Sequence, residues 1–188
     1  MLFCRPMSGS EEDRNRLREL LQRDALLRRD VSLSSGSASG FYFDCKRVTL
    51  TAEGARLTAR AFVREIERWP EAVEAVGGMA HGAISIVGSI VVLSELTGFY
   101  VRDTPKQHGL LHLIENQPPA GTRVLVLDDV VTSGGSLLRA AASARDAGCK
   151  VVGAMALVDR GAGGAERIRQ EVGRYVPVFT KSEFPTGA

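Results

Sequence analysis

Apolar residues recur along the chain with two periods, one helical and one alternating, and their order predicts most of the elements. Behind Ser10-Glu11-Glu12-Asp13, a cap followed by acidic residues suited to the positive end of a helix, Leu17, Leu20, Leu21 and Leu27 fall near helical spacing. The pattern predicts one helix from Arg14 to Leu27. Val31-Ser32-Leu33 then alternates, and beyond the small residues around Ser35-Gly36 come Phe41-Tyr42-Phe43-Asp44, so the stretch reads as a hairpin. A flexible Ser/Gly linker is the alternative, disfavoured by the alternation before the small residues and the aromatics after them. A second helix runs from Thr51 to about Trp69, burying Leu57, Ala61, Phe62 and Ile66 and ending at Pro70, with Trp69 assigned to the core.

The rest of the chain alternates strand and helix. Ala75 to Ala83 reads as a strand followed by a glycine-containing turn, which leads into Ile84 to Leu96 as a core helix. Phe99 to Arg102 is a further strand, followed by a polar connection, Asp103 to Ala120, whose length without periodicity marks it as functional. Val124-Leu125-Val126-Leu127 is a continuous apolar run of the kind found in strands buried on both faces of a parallel sheet. Leu137 to Arg145 favours helix, Lys150 to Arg160 strand, Ala165 to Val172 helix, and Tyr175 to Thr180 an edge strand because Pro177 removes a donor. This order predicts an α/β fold with a mainly parallel sheet flanked by helices. One domain over residues 1–188 is expected, with about 1–50 as an N-terminal helix and hairpin and about 51–184 as the core.

Composition narrows the partners. The 188 residues carry 24 basic and 22 acidic side chains, net +2, so no chain-wide field points to nucleic acid or a membrane surface. The apolar stretch Ala83 to Leu96 is too short to span a bilayer and is broken by serines, and the N-terminus lacks the features of a signal peptide. Cys4, Cys45 and Cys149 are odd in number and widely spaced, which disfavours a disulfide framework or a zinc site and fits a reducing cytoplasm.

The chemistry gathers after the central apolar run, in Asp128-Asp129-Val130-Val131-Thr132-Ser133-Gly134-Gly135-Ser136. A strand, a small-residue turn and a helix opening on Gly and Ser form an anion site, because the first amides of a helix lack partners. Adjacent aspartates beside an apolar strand call for a cation, a metal or sugar hydroxyls, and on a continuing strand they would point to opposite sides. Neither the Walker spacing nor the dinucleotide glycine pattern is present.

The thirteen residues from Val124 to Ser136 resemble the phosphoribosyl pyrophosphate (PRPP) signature of type I phosphoribosyltransferases. From about Leu17 to Phe184 the chain is similar to the orotate phosphoribosyltransferase family, which implies the type I phosphoribosyltransferase fold with an N-terminal hood hairpin. The Ser35-Gly36 turn leading into Phe41 and Tyr42 resembles the hood over the pyrimidine. Arg102, Lys106, His108 and Gly109 resemble the catalytic loop, and Asp159-Arg160 the strand end whose arginine grips the orotate carboxylate.

That resemblance implies a reaction of orotate with PRPP and Mg2+ to give orotidine 5′-monophosphate and pyrophosphate, a step in de novo pyrimidine (UMP) biosynthesis. It places Asp128 and Asp129 on the ribose hydroxyls, Thr132 to Ser136 around the 5′-phosphate, and Gly78 to Gly82 along the pyrophosphate, with Val130, Val131, His81 and Gly82 among the PRPP-binding residues. Arg102, Lys106 and His108 close over the leaving group, often from the other subunit of a homodimer with shared sites. Orotate would meet Phe41, Tyr42, Thr132 and Arg160. Magnesium would be held by PRPP and water, with no direct protein ligand. Ser34, Ser37, His81 and Asp103 stand where many members carry a basic residue, and Lys46 and Arg47 lie nearby as substitutes.

Other readings remain at this point. His81 is either a pyrophosphate contact or a backbone cap, and Arg160 either holds a ligand or pairs with Asp159. One or two of the three aromatics face the base, and the others join the core. A transferase for another base and a non-catalytic nucleotide-sensing protein of the same fold are the alternative functions; the early hairpin disfavours a purine enzyme, and the length leaves no room for an added DNA-binding domain.

Overall fold

The computed structural model describes residues 9–32, 38–103 and 113–185. Helix α1 (Glu11–Leu20) begins with a reciprocal cap: the Asp13 N–H donates to Ser10 Oγ, and the Ser10 N–H to the Asp13 carboxylate. The helix does not reach Leu27. A wide π-type turn, Leu21–Ala25, ends it, and Leu26 and Leu27 open strand β1 (Leu26–Ser32), which pairs with β2 (Ala38–Phe43). Leu26 lies opposite Phe43 and Leu27 opposite Tyr42. An antiparallel ladder therefore captures residues whose spacing alone reads as helix.

The two-stranded sheet is tied to the main body at its base. Phe43 is buried edge-on to Phe184, with centroids 5.1 Å apart, and Phe184 meets Phe179 at 5.7 Å. A short helix α2 (Lys46–Thr49) and the long α3 (Ala52–Ile66) follow, α3 capped by Thr51 Oγ1 accepting from the Gly54 N–H. Trp69 is in the core as expected, its Nε1 donating to Val152 O at 3.2 Å.

The main sheet contains β3 (Ala75–Met79), β4 (Thr97–Val101), β5 (Ile114–Glu115), β6 (Arg123–Val131), β7 (Lys150–Asp159) and β8 (Tyr175–Thr180). Their spatial order is β5-β4-β3-β6-β7-β8, parallel throughout except where β5 runs against β4. Strand β5 emerges from the connection that carries no periodic signal, because Ile114 is buried opposite Val101. Strand β8, with Pro177, is at the edge as predicted.

Helices α4 (Ile84–Leu93), α5 (Gly135–Asp146) and α6 (Gly164–Val172) complete the layers. Leu125 and Leu127 of β6 join the core that includes α1, α3 and α4, while Val124 and Val126 join that of α5 and α6. The apolar run is thus buried on both faces, as its lack of alternation predicts.

Connections leave β3 toward β4 on one side, whereas β6, β7 and β8 lie on the other. The order reverses between β3 and β6, the place where open α/β sheets take ligands. Pairing between these strands covers only Ala75 to Gly77 against Val124 to Val126, while Gly78 and Met79 stay paired with β4. Past that point the two strands part, and a crevice opens at their carboxyl ends.

Candidate active site

Glycines let the crevice walls approach. A Cβ on Gly77 would lie 2.5 Å from the Phe99 ring, and one on Gly78 would collide with Leu127 O. On the β3 wall, the turn Ala80–Gly82 places His81 at φ 76, a left-handed conformation that disfavours a residue with a side chain by about 1–2 kcal/mol. His81 is exposed at that turn. On the opposite wall stand Asp128 and Asp129.

The strand continues through the two aspartates, yet their carboxylates converge. A Cβ on Gly82 would be 2.6 Å from Asp128 Oδ1 and 3.0 Å from Asp129 Oδ1. Each carboxylate bends onto the next backbone amide: the Asp129 N–H donates to Asp128 Oδ1 at 3.0 Å and the Val130 N–H to Asp129 Oδ1 at 2.9 Å. These bonds draw both groups along the strand toward Gly82, which corrects the expectation of opposite sides. Burial, with the Asp129 charge beside it, pushes the Asp128 carboxyl up to about 7. Burial also raises Asp129, against the opposing pull of Lys46, whose Nζ lies 3.7 Å from Asp129 Oδ2.

Beyond Val131 the chain turns through Thr132 and Ser133, both exposed, to Gly134, whose φ of 78 suits glycine. Helix α5 starts there without a side-chain cap, so its first amides are available to an anion. The turn rests on α6: the Gly164 N–H donates to Thr132 O at 3.1 Å, and a Cβ on Gly164 would be 2.5 Å from that oxygen. Ser136 is half-buried in the first turn of α5 and Gly135 precedes it. The Val131 side chain is in the core and Val130 is partly packed there, and both residues pair with β7.

The hairpin and the end of β7 meet beside the turn that follows β6. The Arg160 N–H donates to Val131 O, and its Nη2 reaches Phe41 O at 3.0 Å, linking the hairpin to the sheet. Asp159 Oδ1 accepts from the Gly161 N–H at 2.7 Å. Of the three aromatics, Phe43 is core, Phe41 is half-buried and Tyr42 is exposed.

Arg102 follows β4. Its backbone N–H donates to Leu113 O, and its Nη1 lies 2.9 Å from Glu115 Oε1. Asp103 pairs with Arg139 of α5 at 3.4 Å. Lys106, His108 and the turn with Ser34 and Ser37 lie outside the described residues. Sequence reasoning left Asp44 and Glu115 out of the site and named Lys46 only as a nearby substitute for absent basic residues; the fold alone sets Lys46 against Asp129 and Glu115 against Arg102. Among the described residues no cluster of three or more His, Cys, Asp or Glu side chains could hold a metal ion.

Residues 79–176, from the end of β3 to the start of β8, match the phosphoribosyl transferase domain family. The chain is 44% identical over 158 residues to orotate phosphoribosyltransferase of Thermosynechococcus vestitus, covering 81% of this chain and 82% of that one. It is 40% identical over 164 residues to the protein of the same name from Rhodopirellula baltica, covering 81% and 83%. A crystal structure of Mycobacterium tuberculosis orotate phosphoribosyltransferase in complex with PRPP superimposes with a TM-score of 0.76 at 34% identity, covering 91% of this chain and 98% of that one. With its matched domain spanning both walls of the crevice, the chain belongs to the orotate phosphoribosyltransferase family.

Proposed function

We propose that the protein transfers the phosphoribosyl group of PRPP to orotate, releasing pyrophosphate and orotidine 5′-monophosphate for pyrimidine nucleotide synthesis. The observation that carries this reading is the convergence of Asp128 and Asp129 on Gly82, one step from a turn whose amides are open to phosphate. The ring nitrogen of orotate, having released its proton to solvent, attacks the anomeric carbon while the bond from that carbon to the diphosphate oxygen breaks, and the electron pair leaves with pyrophosphate. Asp128 and Asp129 accept hydrogen bonds from the ribose hydroxyls and face the positive charge that builds on the sugar. Thr132 to Ser136 hold the 5′-phosphate, and the turn with His81 and Gly82 lies along the diphosphate. Arg102 exchanges Glu115 for the leaving group, joined by Lys106 and His108. Tyr42 and Phe41 cover the base, with Thr132 and Arg160 at its polar edge.

Magnesium fits this arrangement as a hard cation carried by diphosphate oxygens and water, the aspartates being engaged with the sugar; when bound it neutralises charge on the leaving group. The protein works as a homodimer, a reading supported by an apolar strip along α4 in which Ile84 and Val92 are exposed beside Leu50. Buried free thiols at Cys45 and Cys149 fit the cytoplasm, and no helix among the described residues is long and apolar enough to cross a membrane.

Supplying PRPP and magnesium with orotate, uracil or hypoxanthine in turn, and following pyrophosphate, tests the reading. Release with orotate alone is expected, and Asp129→Asn should lower kcat at least about 100-fold with little change in KM. Faster release with hypoxanthine, or undiminished turnover in the variant, would overturn it.

A further inference from the structure

Lys46, named from the sequence only as a substitute for absent basic residues, holds a central place. Its Nζ stands 3.7 Å from Asp129 Oδ2 and 3.8 Å from Asp44 Oδ1, between the carboxylate that faces the sugar and one that leaves the hairpin. Among the described residues it is the cation that pairs with the central aspartates. Its backbone is well anchored: Cys45 before it is fully buried, and the Asp44 N–H donates to Ala25 O at 2.9 Å. Asp44 Oδ1 is buried with no hydrogen-bond partner, so its charge too is answered by the ammonium.

We infer that Lys46 is a positioning residue of the transfer reaction, holding the Asp129 carboxylate ionised and aimed at the sugar. The inference rests on the proposed role of Asp129. Two buried carboxylates side by side favour sharing one proton, which would leave the sugar facing a single charge. A cation on the outer flank of Asp129 opposes that outcome, and burial makes the opposition matter more. Asp128 meets Asp129 from the same strand and Cys45 from the end of the hairpin, while Asp44 and Tyr42 act on the ammonium itself. Among the described residues Lys46 is the cation that stands beside the Asp129 carboxylate, at 3.7 Å. Its own pKa is raised, because the attraction of Asp129 and Asp44 outweighs its partial burial.

The test compares Lys46→Met and Lys46→Arg with the parent protein, measuring pyrophosphate release from PRPP, magnesium and orotate between pH 5.5 and 9. Lys46→Met should fold, since its methylene stem is kept, and thermal melting checks this. Its kcat at pH 7 should fall about tenfold or more, and the acid limb of its kcat/KM profile for PRPP should move up by at least about half a pH unit, while Lys46→Arg keeps the limb in place. An acid limb that shifts in both variants or in neither overturns the inference, whatever happens to kcat. Asp129→Asn separates the two readings: if it abolishes turnover while Lys46→Met keeps the parent profile, the role of Lys46 fails and that of Asp129 stands.

Discussion

Asp128 has an environment that works against its own charge. The folded protein retains a proton on this carboxyl up to about pH 7, whereas an unfolded chain releases it near pH 4. A raised acid of this kind stabilises the fold fully below the unfolded value, and that contribution is lost as pH rises through the folded one. The ligand-free protein should therefore lose stability between about pH 4 and pH 7 on account of this group. Asp128→Asn should flatten the dependence and raise stability at pH 8 by on the order of 2 kcal/mol while depressing turnover, as thermal melts and pyrophosphate release would show. A lower melting temperature for the variant at pH 8 would contradict this. At this scale the sequence displayed the doublet and its need for a counter-charge. It did not display the bend of both carboxylates toward Gly82, because that follows from amide bonds local to the strand end. It named Lys46 as a substitute cation but did not reveal its pairing with Asp129, over eighty positions away along the chain and reached through the packing of Cys45 and Phe43.

Elements, more than single residues, hold the phosphate turn. Its shape depends on α6, whose first residue touches the turn from outside the crevice, so a change remote from any ligand should be felt at the anion. Gly164→Ala would place a methyl 2.5 Å from Thr132 O and 2.9 Å from the Gly134 N. The turn must shift, and we expect KM for PRPP to rise about tenfold and stability to fall by about 1–3 kcal/mol, read by initial rates and thermal melting. An unchanged KM would show that the turn does not depend on this support. The strand and helix order was legible because the period changes cleanly at each boundary from β3 onward. The first helix was misread over its last residues: Leu26 and Leu27 fit a helical stripe as well as a strand, and only their partners Phe43 and Tyr42 decide between the two. Strand β5 was missed because two residues carry no period.

For the whole molecule, a six-stranded sheet carries the two aspartates and the turn before α5, and a two-stranded sheet stands beside it. Their link through Arg160 and Phe41 joins segments distant in sequence, and no local pattern could announce it. The exposed strip on α4 begins directly after the turn that carries His81 and Gly82, so a second copy seated there would border the crevice. Val92 is 82% exposed, and Val92→Glu should leave the monomer folded. It should also shift sedimentation toward the monomer and reduce turnover severalfold, and a variant that remains dimeric and fully active would place the contact elsewhere.

Where β3 turns away from β6, the latter strand is left with an unclaimed border inside the molecule. Such a border invites a stray peptide to lie down as an added strand, and interior charges are one means by which proteins refuse that guest. Asp128 and Asp129 stand on it, so the same two carboxylates that would welcome a hydroxylated sugar also make the gap inhospitable to another polypeptide.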